Sequence, residues 1–425
     1  MKIKSLENKK KIVFDILLIF FNKEDLEFVE DNYDIKIDSK IYYGNREISY
    51  KDNKDLKIKL YNLFSKQENY KSSWGILTGS KPMKLFSKIG NEIKSEYLVS
   101  DSKYELLKVI AKNQEKYSFD PKNMNLYINI PFCPTRCDYC SYPTIIYNKH
   151  DYRDCYLKLI LKELESLKVD KFHTIYIGGG TPSSLSTKQL EILLDNLNRF
   201  KAEEFTVEAG REDTLDFKKI DLFEKYHVNR ISLNPQSFNQ KLLRKLNRNQ
   251  DEKKLIELIE YANEKFIVNM DFIVGLPEDD FTFSKNLKII EKLLPKNITF
   301  HTLSRKSGSK FYESHKRFLE ERENVEKTWE NIFKFTEKFG YNPYYLYRQK
   351  DILANLENIG FERDKSACIY NIVVNEEIEN IIGIGMNANS KFKSGEKLRL
   401  DRNIRDYKNN LNKKIEIRNK IINKL

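Results

Sequence analysis

Between about residue 125 and 305, short apolar β-branched runs alternate with longer segments whose apolar residues recur every three or four positions. The first pattern builds buried strands and the second builds amphipathic helices, so their alternation predicts repeated βα units. Strands are expected at NLYINI (125–130), TIYIGG (174–179), FTVEAG (205–210), RISLNP (230–235), IVNMDFIVG (267–275) and NITFHTL (297–303). Helices are expected over 151–168, 187–200, 214–226, 250–264 and 280–294. Six strands, each followed by a helix-length segment, imply an α/β fold class with an all-parallel sheet.

The flanks follow another pattern. Before residue 120 come a helix-like start, a strand-rich section near IYYGNREISY and then helices. After residue 305 come a charged helix (315–338), the aromatic segment YNPYYLYRQ and strands around 369–375. The division expected is an N-terminal accessory domain (1–120), a barrel (121–305) and a C-terminal helical and strand extension (306–425) covering the substrate side.

Composition narrows the class. In 425 residues, 40% hydrophobic and 12% aromatic content can build a sizeable core. The net charge of +12 is carried by lysines spread along the chain rather than gathered into a stripe, so a specific nucleic-acid partner is not expected. At the N-terminus a basic stretch precedes IVFDILLIFF, but Asp15 interrupts the run and no small-residue cleavage site follows. No segment approaches the roughly 20 apolar residues that cross a bilayer. A cytoplasmic protein without a membrane partner is expected.

Three of the five cysteines stand in IPFCPTRCDYC, directly after the first expected strand, with C-x3-C-x2-C spacing. A reducing compartment argues against a disulfide framework and for metal ligation. Three thiolates on a four-iron cubane leave one iron open, and an open position marks a catalytic rather than a structural centre. A zinc site would want a fourth ligand, and Cys155 and His150 lie at unmatched distances. Other polar groups gather at the same strand ends, where parallel barrels place their active sites. Gly178, Gly179, Gly180 and Thr181 end the second strand, where missing side chains let backbone approach a ligand. Glu208, Gln236 and Asp271 fall at or near the ends of the third, fourth and fifth. His301, near the end of the sixth, is expected to be a satisfied barrel histidine rather than a substrate contact, and Cys155 and Cys368 to be ordinary buried thiols.

The segments YINIPFC, IGGGTPSSL, FTVEAGRED, NPQSFN and DFIVGLPED together resemble the radical S-adenosylmethionine superfamily, and within it the oxygen-independent coproporphyrinogen-III oxidase-like family. WGILTGSKPMK (74–84) and YYLYRQKDILANLENIG (344–360) resemble its coproporphyrinogen dehydrogenase branch. The resemblance implies a partial parallel (β/α)6 radical-SAM barrel with smaller N-terminal and C-terminal domains. It implies a [4Fe–4S] cluster on Cys133, Cys137 and Cys140, and S-adenosyl-L-methionine in contact with Tyr127, Tyr139, Gly179, Gly180, Thr181, Glu208, Gln236, Arg248 and Asp271. The implied reaction is oxidative decarboxylation of coproporphyrinogen III to protoporphyrinogen IX, with a tetrapyrrole substrate and an electron donor such as flavodoxin or ferredoxin. The best-characterised branch carries a further cysteine two residues after the third; Tyr142 stands there in this chain. The same scaffold also serves haem chaperones and anaerobic radical methylation with ring opening of haem. Radical tRNA modification is a further class, but no RNA-binding appendage is recognisable.

Overall fold

In the computed structural model, which describes residues 1–79, 81–149, 151–277, 279, 283–305, 309–310 and 321–425, the six expected strands pair in sequence order and in parallel. They are β1 (Met124–Ile130), β2 (Lys171–Gly179), β3 (Lys201–Glu208), β4 (Arg230–Ser232), β5 (Ile267–Val274) and β6 (Asn297–Thr302). The returning helices are α1 (Arg153–Glu165), α2 (Thr187–Leu197), α3 (Phe217–Lys225), α4 (Glu252–Asn263) and α5 (Ser284–Leu293). Local chemistry starts several of them. Ser186 and Gln189 form a capping box ahead of α2, and the carboxylates of Asp216 and Asp251 accept the first-turn N–H groups of Lys219 and Lys254. The fourth strand is shorter than RISLNP suggested, because Pro235 has no N–H to give a ladder and Gln236 takes a left-handed backbone with φ 65°.

The sheet is not all-parallel. It has eleven strands, and residues from the C-terminal extension line both flanks of the six. At one edge β8 (Asn358–Glu362) runs antiparallel to β6, and β7 (Asn342–Tyr347) antiparallel to β8. At the other, β9 (Asn380–Ile384) runs parallel to β1 and is followed by the antiparallel β10 (Asn389–Lys391) and β11 (Lys397–Arg399). An open parallel sheet has two rows of unpaired backbone groups, and the added strands pair with both.

The strands expected around 369–375 are instead a helix, α7 (Ile369–Glu376); the charged helix is described as α6 (Arg322–Lys338), its expected start at 315–320 lying outside the described residues, as do 280–282 before α5. In α7 the β-branched composition is overridden by tertiary contacts. Ile369, Ile372, Val373 and Glu376 are spaced three and four apart, and the buried Glu204 carboxylate on β3 accepts the N–H groups of Ile369 (2.9 Å) and Tyr370 (3.0 Å). Arg230 on β4 pairs with that carboxylate at 3.2 Å and donates to the carbonyls of Ser366 and Ala367. A strand there would leave the carboxylate without these donors.

One hydrophobic cluster runs from Trp74 through the barrel to Leu411. A second, from Ile3 to Ile76, fills an N-terminal unit in which strand Lys2–Ser5 precedes the expected first helix, Glu7–Leu17. The last helix, α8 (Ile404–Ile422), is tied to α1 through the buried Glu163, which receives Arg418 at 2.6 Å, the Tyr407 hydroxyl and the Gly385 N–H at 2.9 Å. Among the described residues no helix is long and apolar enough to cross a membrane.

Removing one partner of a buried ion pair strands the other, at a cost of about 3–5 kcal/mol. Glu204→Ala should therefore lower stability to urea by that order, and Glu204→Gln, which keeps an acceptor for α7, by less.

Candidate active site

The C-terminal ends of the six strands open into a cavity of about 670 Å³. Its wall includes all twelve residues that the resemblance singled out: Cys133, Cys137 and Cys140, together with Tyr127, Tyr139, Gly179, Gly180, Thr181, Glu208, Gln236, Arg248 and Asp271. Residues separated by up to 144 positions in the chain thus share one surface.

The cysteine loop leaves β1 and is folded back on itself. Phe132 and Cys133 pair with Ile145 and Ile146, the Ile145 N–H donates to the Pro131 carbonyl at 2.7 Å, and the Cys140 N–H closes a turn on Cys137 at 3.0 Å. Asn247 pins the loop from outside by donating to the Arg136 carbonyl at 2.8 Å. Cys133 and Cys137 are buried and Cys140 is half-buried. The Cys133 Sγ lies 3.4 Å from the Thr181 hydroxyl; burial pushes its thiol up to about 11, against the opposing pull of that hydrogen bond. The buried Arg211 donates to Cys137 Sγ at 3.5 Å and is itself held by the Asp213 carboxylate at 2.9 Å. The guanidinium thus places a positive charge against one of the three sulfurs.

The glycine run has a reason beyond ligand approach. A Cβ at Gly179, where φ is +118°, would collide with Asn129 Oδ1, and one at Gly180 would lie 2.9 Å from the Phe132 carbonyl oxygen. The end of β2 therefore lies backbone against backbone with the start of the cysteine loop, and the Gly180 N–H donates to Ile130 at 2.8 Å. A Cβ at Gly178 would come within 2.8 Å of the Glu208 carboxylate.

Two carboxyl groups in the cavity are pushed apart. Glu208 is raised to about 8 by desolvation and then by the nearby Asp271 carboxylate. Burial would raise Asp271 as well, but hydrogen bonding and charge from His301, with help from Asn269 and Thr299, hold it below the ordinary range. His301 lines the cavity with both ring nitrogens engaged: Nδ1 meets the Tyr347 hydroxyl at 3.0 Å and Nε2 lies 3.6 Å from Asp271. Arg248 is buried, and its guanidinium donates to the Tyr139 hydroxyl at 3.3 Å and to the carbonyls of Gly210 (3.1 Å) and Asn234, so it braces three segments of the wall.

Aromatic rings make up much of the remainder. Tyr176 and Tyr370 stack at 4.5 Å and 22°, Tyr127 lies 6.0 Å from Tyr370 at 13°, and Tyr345 and Tyr347 are parallel within 4° at 6.2 Å. Tyr142 lines the cavity too, with 56% of its surface exposed. Of these rings only Tyr127 was singled out as a contact. Tyr370 escaped notice because its segment read as a strand; Arg211 stands in the quoted FTVEAGRED and was legible there. Cys368 is buried as expected, but Cys155 is exposed, on the solvent side of α1, with its thiol against the Tyr152 carbonyl at 3.1 Å. His150 lies outside the described residues.

The family model of the radical SAM superfamily matches residues 127–290. Over 366 residues the chain is 36% identical to the oxygen-independent coproporphyrinogen-III oxidase-like protein HemZ of Bacillus subtilis, a match covering 78% of this chain and 72% of that one. The chain belongs to the radical S-adenosylmethionine superfamily, in its coproporphyrinogen-III oxidase-like family. Within that family it is also 34% identical over 234 residues to the heme chaperone HemW of Lactococcus lactis, covering 52% of this chain and 61% of that one. Among solved structures, coproporphyrinogen III oxidase (HemN) from Escherichia coli superposes with a TM-score of 0.58 at 19% identity, over 82% of this chain and 78% of that one, a likeness of fold.

Radical S-adenosylmethionine enzymes use a [4Fe–4S] cluster and S-adenosylmethionine. The residues present fit both. The three cysteines line one cavity, with the Arg211 guanidinium beside Cys137. A raised carboxyl and a lowered one, set in a polar rim, offer partners for an amino acid and its attached nucleoside.

Cys133→Ala should abolish cluster assembly, read as iron and acid-labile sulfide after anaerobic reconstitution; full retention of iron would contradict the ligand assignment. Glu208 keeps its proton in the folded chain up to about pH 8, whereas the unfolded chain releases it near the ordinary 4.5. The folded state holds more protons in between, so stability falls as pH rises through that window. Glu208→Gln should raise the melting temperature of the ligand-free protein relative to wild type at pH 8.5 and not at pH 4.

Proposed function

We propose that this enzyme carries out the oxygen-independent oxidative decarboxylation of coproporphyrinogen III to protoporphyrinogen IX. The observation that carries the reading is the tyrosine-rich cavity itself, lined both by the three cysteines and by residues of the C-terminal segment such as Tyr345, Tyr347 and Tyr370. Flat, offset-stacked aromatic rings suit a large tetrapyrrole face. The name of the B. subtilis relative, matched over most of both chains, points the same way.

In this reading Cys133, Cys137 and Cys140 hold the cluster, and Arg211 sets a positive charge beside Cys137. Gly179, Gly180 and Thr181 offer backbone and hydroxyl groups to the methionine end of the cosubstrate, and Glu208, drawn into its charged form by an ammonium group, binds that end as well. Tyr127, Tyr139, Gln236 and Asp271 complete the contact surface, while Arg248 positions Tyr139 and the strand ends. When bound, the cluster and S-adenosylmethionine would supply a 5′-deoxyadenosyl radical able to take a hydrogen atom from each of two propionates in turn; each propionate would then lose carbon dioxide and pass one electron to a one-electron acceptor, leaving a vinyl group. The aromatic wall excludes water around the reacting side chain. We assign the activity to the cytoplasm, with a carrier such as flavodoxin or ferredoxin as electron donor, and divide the chain into an accessory domain (1–120), the barrel (121–305) and an extension over the substrate (306–425).

Anaerobic incubation of reconstituted protein with reductant, S-adenosylmethionine and coproporphyrinogen III should yield protoporphyrinogen IX, measured by chromatography after oxidation to the porphyrin. An intact cluster that cleaves S-adenosylmethionine yet releases no such product would rule the reading out. Stoichiometric retention of haem with a stable Soret band would assign the chain to a chaperone role, and reductant-dependent loss of that band to haem degradation.

A further inference from the structure

One motif in the sequence has no role in the chemistry above. WGILTGSKPMK leads into the helix Pro82–Ile89, and its two lysines converge on the far end of α7. The Glu377 carboxylate, at the C-terminal cap of α7, receives Lys81 at 2.6 Å, Lys84 at 2.6 Å and Lys391 of β10 at 2.9 Å. Lys393 adds a fourth ammonium group, donating to the Glu377 carbonyl at 2.9 Å.

Three ammonium groups on one carboxylate leave two positive charges without a counter-ion in that group. The neighbouring Glu376 does little to balance them, because burial pushes its carboxyl up to about 7. Burial, and then the repulsion of Lys391 and Lys84, draw the Lys81 ammonium below its ordinary value, as expected of a cluster short of anions. The partial negative charge at a helix C-terminus explains lysines gathered there in general. It does not account for Lys391 also lining the cavity, as Asn371 and Asn375 of α7 and Asn389 of β10 do. A lysine and amide-bearing residues thus belong to the same wall as the tyrosines.

We propose that Lys391, backed by Lys81 and Lys84, forms a carboxylate-binding corner of the cavity that takes one of the two tetrapyrrole propionates that do not react. The inference rests on the coproporphyrinogen reading and specifies how that substrate is oriented. A substrate with four carboxylates can keep one anchored while presenting another to the thiol rim. Each binding group then fixes the ring in the plane of the tyrosine stack, and Lys81 and Lys84 lower the cost of bringing a second carboxylate near Glu377.

The test uses reconstituted holoenzyme and the stable porphyrin, coproporphyrin III, followed by fluorescence quenching. Lys391→Ala should weaken binding about tenfold, the size of one charged hydrogen bond. Lys391→Arg should keep it within about twofold. Iron content and S-adenosylmethionine affinity should be unchanged in both, which excludes a folding defect. The tetramethyl ester of coproporphyrin III, dispersed in detergent, should bind wild type and Lys391→Ala alike. Unchanged coproporphyrin affinity in Lys391→Ala would overturn the corner while leaving the substrate reading intact, and so would an equal loss for the ester. Failure of the wild type to bind coproporphyrin III would overturn the substrate reading, and this inference with it.

Discussion

The site depends on a close approach between two strand ends. β2 must bring Gly179 and Gly180 against the backbone of Ile130 and Phe132, a contact no side chain could share. That contact sets the Thr181 hydroxyl beside Cys133 and the Glu208 carboxylate beside Gly178, so the thiol rim and the polar rim are located relative to each other by main chain rather than by adjustable side chains. Sites built on strand ends hold their geometry better than sites built on free loops. The cysteine loop gains the same rigidity by pairing its two ends, Phe132–Cys133 with Ile145–Ile146, and being pinned by Asn247.

Electrostatics then divide the cavity. Near the thiols Arg211 supplies a positive charge held in place by Asp213. In the middle Glu208 and Asp271 compete, and the Tyr347–His301 pair decides the outcome in favour of Asp271 as the ionised partner. The lysines around Glu377 make a second positive zone, of which Lys391 reaches the cavity wall. The stacked tyrosines carry little charge and a broad apolar face.

The barrel was legible because its signal is periodic and local. Each of the six strands shows a short apolar run, and each return helix shows its three- and four-residue spacing. The rim residues were legible because strand ends are where a parallel sheet must expose polar groups, and because the cysteine spacing is rare. What escaped is what depends on partners far away in the chain. In IYNIVVNEE the β-branched run masks the three- and four-residue spacing of Ile369, Ile372, Val373 and Glu376, and the decisive donor–acceptor contact is with Glu204, 165 positions earlier. The strands added at the two edges, antiparallel on β6 and parallel on β1, escaped for the same reason, since a strand's partner and direction are set by the edge it meets. Cys155 failed the expectation of burial because its place on α1 turns it outward, a matter of helical phase.

The Glu163 junction gives the last helix an influence that its position would not suggest. Arg418 and Tyr407 of α8 meet the Glu163 carboxylate, Tyr407 leans on Tyr156 at 5.7 Å, and the Tyr156 hydroxyl donates to the Asn129 carbonyl at 2.6 Å, one residue before the strand that launches the cysteine loop ends. Asn129 is itself part of the cavity wall. Loss of Arg418 would thus reach the cysteine-bearing end of the sheet through Glu163, Tyr407, Tyr156 and Asn129, so that a lesion in α8, remote in sequence from the cysteines, would present as a cofactor defect.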